Sequence, residues 1–200
     1  MSEHYYAKQP KVKSDRKLVT SSLLGVDLHF TTDSGVFSKG GIDFGSRLLI
    51  ESFVMPAVAG KVLDLGCGYG PIGVTLGAVY PDREIHMVDM NERAIQLSQE
   101  NAASNEVANV EIYSSDGLAS VEEVGFAAIL TNPPIRAGKE VVFSFYDHSY
   151  SKLVVGGELW VVIQKKQGAP STMKRLEELF GNVTVVSKQK GYYILKSIKV

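Results

Sequence analysis

The chain has 200 residues, 44% hydrophobic and 22% charged, which suits one globular domain with a sizeable core and excludes a chain disordered throughout. The formal net charge of −1 hides an uneven layout: six basic and four acidic side chains over residues 1–41, six and fifteen over 42–147, nine and three over 148–200. A single cysteine excludes an internal disulfide framework, no apolar run approaches the roughly 20 residues of a membrane span, and residues 1–17 are too polar for a secretory signal, so a soluble, cytoplasmic protein is expected.

Residues 2–14 are polar and carry Lys8, Pro10, Lys11 and Lys13, which predicts a mobile or loosely docked arm. Strands over 18–22 and 26–32, around Leu24-Gly25, predict a hairpin. Phe44, Leu48, Leu49 and Phe53 are spaced for one face of a helix over 43–53, with Asp43 as its N-cap. From Lys61 onward strands and helices alternate: strands near 61–65, 84–89, 109–113, 126–131, 157–164, 183–187 and 191–199, helices near 71–79, 91–104, 139–153 and 171–180. That pattern predicts a doubly wound α/β fold with a seven-stranded, mostly parallel sheet. Only about three residues around Gly191 join the last two strands, too few for the dozen or more of a parallel crossover, so the final strand is expected to run antiparallel. The expected organisation is an arm and hairpin over residues 1–34 and one catalytic domain over 35–200.

Val62-Leu63-Asp64-Leu65 is a short apolar strand running into Gly66-Cys67-Gly68-Tyr69-Gly70 and then a helix, a turn that lets backbone approach a ligand at Gly66, Gly68 and Gly70. A tight turn without ligand is one alternative. Another is a dinucleotide site, because Gly68-x-Gly70-x-x-Gly73 with Asp89 also satisfies that fingerprint. Asp64 tilts against it, since a carboxylate inside the turn faces an ammonium group and repels a pyrophosphate. Asp89 ends the next strand, where it can accept both hydroxyls of a ribose or cap the helix from Asn91. Ser115-Asp116-Gly117 follows the third strand and reads, on residue types, as a surface turn. Cys67 fits the turn sterically, and the four histidines show no metal-ligand spacing, so no metal is expected.

Asn132-Pro133-Pro134-Ile135 follows a buried strand at the edge where open α/β sheets place ligands. The prolines fix φ and bias Asn132 and Pro133 toward extended backbone, which is expected to leave the Asn132 side-chain oxygen and the Pro133 carbonyl facing one spot. Two acceptors there suit an NH₂ group that attacks an electrophilic carbon. The alternative is a plain strand end.

These segments resemble the amino-directed class I S-adenosylmethionine (SAM) methyltransferases, whose fold is a Rossmann-like sheet of seven strands. Gly35-Val36-Phe37-Ser38, Asp43-Phe44-Gly45-Ser46, the glycine turn, Asp89, Asn132-Pro133-Pro134, Gly138 and Gly156-Gly157-Glu158-Leu159 are similar to the catalytic domain of the bacterial small-subunit ribosomal RNA guanine-N2 methyltransferase family, the RsmC type. The resemblance implies SAM as cofactor, bound by Phe37, Asp64, Gly66, Cys67, Gly68, Gly70, Asp89, Met90, Asp116 at the adenine amino group, Gly117 and Asn132. It implies a catalytic set of Asn132, Pro133, Pro134 and Ile135. The substrate is then ribosomal RNA or a small-subunit particle, with Lys39 at the opening and Arg136, Lys139, Lys165 and Lys166 on phosphates; a monomer is expected.

Two departures matter. Larger members carry a further N-terminal domain without a counterpart in these 200 residues, so the route to the ribosome is expected to differ. Ile135 stands where the family pattern has an aromatic, with Phe37, Phe44 and Phe143 as candidate substitutes. Two other functions fit less of the pattern: N-methylation of a protein side-chain amide or a small amine, and a non-catalytic SAM- or RNA-binding assembly module.

Overall fold

In the computed structural model, which describes residues 12–200, β1 (Lys17–Leu23) and β2 (Val26–Thr32) pair antiparallel from Lys17↔Thr32 to Leu23↔Val26. Leu24 (φ 49°) and Gly25 (φ 83°) turn the chain with both central residues at positive φ, the conformation that matches the twist of a hairpin. Of the arm expected over 2–14, residues 2–11 lie outside the described residues. Next to them, Arg93 Nη2 donates to the Val12 carbonyl at 3.1 Å and Ser14 Oγ donates to Asp33 at 2.8 Å. Leu23, Leu28 and Phe30 of the hairpin enter the same core cluster as the first three helices.

The main sheet contains β3 (Lys61–Leu65), β4 (Ile85–Asp89), β5 (Val110–Ser114), β6 (Phe126–Thr131), β7 (Leu153–Gln164), β8 (Thr184–Gln189) and β9 (Tyr192–Ile198), in the order β5-β4-β3-β6-β7-β9-β8. All pairs are parallel except those of β9, which slots between β7 and β8 antiparallel to both, as the short turn at Lys190-Gly191 requires. The helices are α1 (Phe44–Ser52), α2 (Pro71–Val79), α3 (Glu92–Ser104), α4 (Lys139–Lys152) and α5 (Ala169–Phe180).

The two-residue period of the strands sorts the core into two layers. Val62, Ala128, Leu130, Trp160 and Val162 face α1, α2, α3 and the hairpin; Leu63, Leu65, Ile129, Leu159 and Val161 face α4 and α5. Expected and observed elements differ most at β7. It begins directly after α4, at Leu153, and its register against β6 shifts between Phe126 and Ala128, around Gly156 at φ 79°. The expected strand starts only after this irregularity.

β6 follows β5 in the chain yet lies on the other side of β3, so the chain changes direction between β3 and β6 and leaves a crevice outside their C-terminal ends. Leu65 and Thr131 are register partners there, stitched by Thr131 Oγ1 donating to the Leu65 carbonyl at 2.8 Å. This pairing sets the glycine turn beside Asn132. Among the described residues no helix is long and apolar enough to cross a membrane.

Candidate active site

A cavity of about 410 Å³ opens at this crevice. Its wall includes Phe37, Gly66, Cys67, Gly68, Asp89, Met90, Gly117, Asn132, Pro133, Pro134, Ile135 and Arg136, so the two motifs meet in one space. Lys39, Lys139, Lys165 and Lys166 are exposed and stand beside the wall, each within three residues of a wall position.

The glycine turn is built by two carboxylates. Asp89 Oδ2 accepts the Gly68 amide and Oδ1 the Asn91 amide, both at 2.9 Å, so Asp89 braces the turn while keeping part of its surface on the cavity. Helix α3 is capped by Asn91, whose Oδ1 accepts Arg93 N and Ala94 N, and not by Asp89. Gly66 (φ 80°) and Gly68 (φ 58°) both need left-handed backbone, and a Cβ on Gly68 would meet nothing within 4 Å, which leaves that edge open to a ligand.

Three residues expected at this end lie outside the cavity wall. The strand pleat turns Asp64 toward α2, where Oδ2 accepts the Gly73 amide at 2.8 Å, so it lies behind the turn and not in the cavity wall. Gly70 caps α2 from inside, where a Cβ would come within 3.0 Å of Val74 and 3.1 Å of Met87; its close approach is to core, not to ligand. Asp116 is exposed and faces a neighbouring depression with Leu118, Val141 and His148, while the adjacent Ser115 is buried and accepts the Ser120 amide. Ser115 and Gly117, not Asp116, reach the main cavity.

Burial raises the pKa of Asp64 to about 7, with the neighbouring Asp89 adding to the rise and the Gly73 amide opposing it. Burial also raises Asp89, against the pull of the Asn91, Gly68 and Met90 amides. The Cys67 thiol is pushed up by burial and by both carboxylates, which makes it inert packing. Asp64 Oδ1 and the Tyr69 hydroxyl are buried without a hydrogen-bond partner among the described residues. Burial, together with the field of Asp43, raises the pKa of the Tyr69 hydroxyl.

At the other end, Asn132 Nδ2 donates to Ser46 Oγ at 3.0 Å and lies 3.4 and 3.5 Å from the two Asp43 oxygens. A carboxylate only accepts, so the amide nitrogen must face Asp43 and the carbonyl oxygen Oδ1 is turned away from it. Asp43 also caps α1, accepting Gly45 N at 2.9 Å and Ser46 N at 3.1 Å. Read in the sequence as a cap alone, Asp43 therefore has a second task that only the fold reveals. The Pro133 carbonyl is not free as expected: it accepts the Ile135 amide at 2.9 Å in a tight turn that starts a one-turn helix over Ile135–Ala137. One of its lone pairs remains.

Wall residues that the sequence reading did not assign to the site include Tyr69, Ile72, Gln164, Gln167 and Tyr192. Asn91 Nδ2 donates to the Gly35 carbonyl at 2.8 Å and so ties the segment carrying Phe37 to the cavity.

At the N-terminal ends of the same strands, Glu84, His86 and Glu111 bring ligand-type atoms within 4.8 Å of one another, a grouping made by strand pairing and invisible to sequence spacing. Lys61 Nζ already lies 3.0 Å from Glu84 and 2.9 Å from Glu123, so the cluster is an ion-pair network.

The methyltransferase small domain family matches residues 27–196. The uncharacterized protein YbxB of Bacillus subtilis is 58% identical over 201 residues, 100% of each chain. The ribosomal RNA small subunit methyltransferase C of Vibrio cholerae is 32% identical over 179 residues, 88% of this chain and 51% of that protein. Among solved structures, the Thermus thermophilus 16S rRNA N2 G1207 methyltransferase (RsmC), in complex with AdoMet and guanosine, superposes with a TM-score of 0.83 at 28% identity over 96% of this chain and 52% of that one. The chain thus spans about half the length of these two methyltransferases.

Proposed function

The chain belongs to the methyltransferase small domain family, as a SAM-dependent enzyme of the RsmC type, and from that premise we propose that it methylates the exocyclic N2 of guanine in ribosomal RNA. The observation that carries the acceptor assignment is the Asn132 carboxamide, locked by Ser46 and Asp43 with Oδ1 turned from them.

The residues present fit the cofactor. Gly66 and Gly68 leave backbone bare at the cavity edge, and Asp89 offers carboxylate surface there. Two carboxylates with raised pKa values favour a cation, which is what a sulfonium with an ammonium group brings. In this proposal Phe37, Gly66, Cys67, Gly68, Asp89, Met90 and Gly117 hold SAM, and Asp64 and Gly70 shape the turn from behind. When bound, SAM supplies a methyl group on a sulfonium, with a neutral thioether as leaving group.

The chain's own contribution is alignment. Asn132 Oδ1 and the remaining lone pair of the Pro133 carbonyl accept from the incoming NH₂, which directs the nitrogen lone pair away from them and opposes the positive charge that develops on nitrogen. Asp43, in the same wall, adds a negative charge to that field. Fixing reacting atoms in this way accounts for up to about 7–11 kcal/mol in well-oriented systems. Guanine reaches such a pocket only when unpaired or extruded, and Arg136, Lys39, Lys139, Lys165 and Lys166 are the cations available to its phosphates. The residue count of nine basic to three acidic over 148–200 favours RNA over a protein acceptor.

Labelled methyl transfer from SAM to RNA of cells lacking the protein, followed by nucleoside analysis, tests this. N2-methylguanosine is the expected product. Label found only in protein replaces RNA by a side-chain amide, and no transfer to either leaves the assembly-module reading.

A further inference from the structure

Ile135 has no aromatic ring, and its half-buried side chain packs against the core layer under α4 and α5 while bordering the cavity. Of the substitutes suggested by sequence, Phe143 packs into the same layer, with Lys139 Nζ 5.0 Å over its ring, and Phe44 lies behind the cavity wall. Among the described residues four aromatics do line the cavity: Phe37, Tyr69, Phe145 and Tyr192.

Of the other three, Phe145 and Tyr69 are buried and Phe37 belongs to the segment beside Asp89. Phe145 is buried beside the glycines, its ring 3.1 Å from where a Gly117 Cβ would stand and 3.8 Å from that of Gly66. Tyr69 sits inside the glycine turn and packs edge-on against Phe30 at 6.1 Å. Phe37 rides on the segment that Asn91 ties down beside Asp89.

Tyr192 stands with the acceptor group instead. Its ring lies over Gly45, where a Cβ would come within 2.8 Å of Cε1 and 3.0 Å of Asp43 Oδ1, so ring and carboxylate flank one backbone position. That position sits between Asp43 and Ser46, the two residues that lock Asn132. Phe44 backs the ring at 5.5 Å, and Lys190 Nζ lies 4.6 Å over Phe44. Register pairs Tyr192 with Gln164, another wall residue. The ring thus packs against Phe44 and over the backbone of Gly45, and Tyr192 is half-buried in the cavity wall.

We propose that Tyr192 is the platform on which the target base stacks, the place held by the aromatic after Asn-Pro-Pro in the resembling family. The proposal rests on the reading of RNA as the acceptor. A ring supported on one side gives a base its π-face at low entropy cost, and the same ring rejects acceptors that lack a flat face. Gly45 is then required by the ring and not only by the helix start.

The test uses the full chain loaded with S-adenosylhomocysteine and a short single-stranded oligoribonucleotide carrying one 2-aminopurine, a fluorescent base with its own 2-amino group whose emission is quenched by stacking. Tyr192→Phe is expected to quench and bind like wild type, because the ring suffices. Tyr192→Leu and Tyr192→Ala are expected to bind about 5- to 150-fold more weakly with quenching lost. Calorimetric affinity for S-adenosylhomocysteine should stay unchanged in all three. Leu as good as Tyr, Phe as poor as Ala, or a parallel loss of cofactor affinity each overturns the platform. The RNA reading fails separately and earlier: the wild-type protein then transfers no methyl group to RNA, before any variant is compared.

Discussion

At the C-terminal ends of β3 and β4 the carboxylates of Asp64 and Asp89 are met by backbone amides, whereas at the N-terminal ends of the same strands Glu84 is met by Lys61 and His86. Burial outweighs the amides at the first end and raises both aspartates; hydrogen bonds from Lys61 and His86 outweigh burial at the second and lower Glu84. One end thus holds its carboxylates on backbone amides, with Asp89 bordering the cavity, and the other pairs them with cations at the surface. A cluster of acids is therefore informative about function only once its partners are counted.

The comparison breaks most visibly if the C-terminal end does no chemistry. Asn132→Ala removes the locked acceptor and should lower the rate of methyl transfer by about 10²–10³, the usual cost of one preorganised transition-state partner, while S-adenosylhomocysteine still binds. Single-turnover transfer and calorimetry on the same sample check it, and a variant that keeps its rate removes Asn132 from the catalytic set. Next in size is Asp89→Asn, which weakens two amide hydrogen bonds to a charged acceptor. At about 1.5–3 kcal/mol, cofactor affinity should fall roughly 10- to 150-fold. Lys165→Glu with Lys166→Glu addresses the rim: RNA binding should weaken and the slope of log affinity on log salt should shrink by about 0.7 per lost phosphate contact, with cofactor affinity intact. Equal loss of both would count against a separate RNA surface.

Asp64 gives an effect on stability, and not on binding, that belongs to the protein without cofactor. Its folded pKa of about 7 lies above its ordinary value of 3.8, so the folded state holds a proton that the unfolded chain has already lost. Stability should therefore decline as pH rises from about 4 to about 7 and level off beyond, by an amount on the order of a few kcal/mol. Asp64→Asn should flatten that decline in urea midpoints taken across the window without cofactor.

How much of this was legible beforehand follows from which properties are local. Strand and helix positions came from periodicity, and the antiparallel β9 from a turn too short for a crossover, both readable along the chain. That Gly66 and Asn132 share a cavity followed from the rule for open sheets. What escaped was set by pleat and packing. The pleat turned Asp64 onto the α2 face, the turn around Gly117 left Asp116 outside, and Asp43 gained Asn132 as a partner 89 residues away. Tyr192 reaches the wall because β9 inserts beside β7, opposite Gln164 at the end of β7, and no motif marks either residue. His86 met Glu84 and Glu111 through strand pairing, where spacing in the chain gave no sign.

The smallest predicted effect sharpens the contrast by its sign. Glu84 has its pKa lowered from 4.5, first by the hydrogen bond from Lys61 and then by His86, so the stability it contributes is present above that value and is lost as pH falls through the folded one. Glu84→Gln should accordingly lower the urea midpoint slightly at neutral pH and not at all in acid, the reverse of the trend at Asp64. Because the Glu84 side chain is 47% exposed, its pairing is screened, and added salt should erase the difference between variant and wild type. A buried carboxylate answers to pH and barely to salt, an exposed pair to both. If Glu84→Gln costs more than Asp64→Asn changes, or ignores salt, the two ends do not differ as described, and the raised aspartates lose their standing as a ligand site.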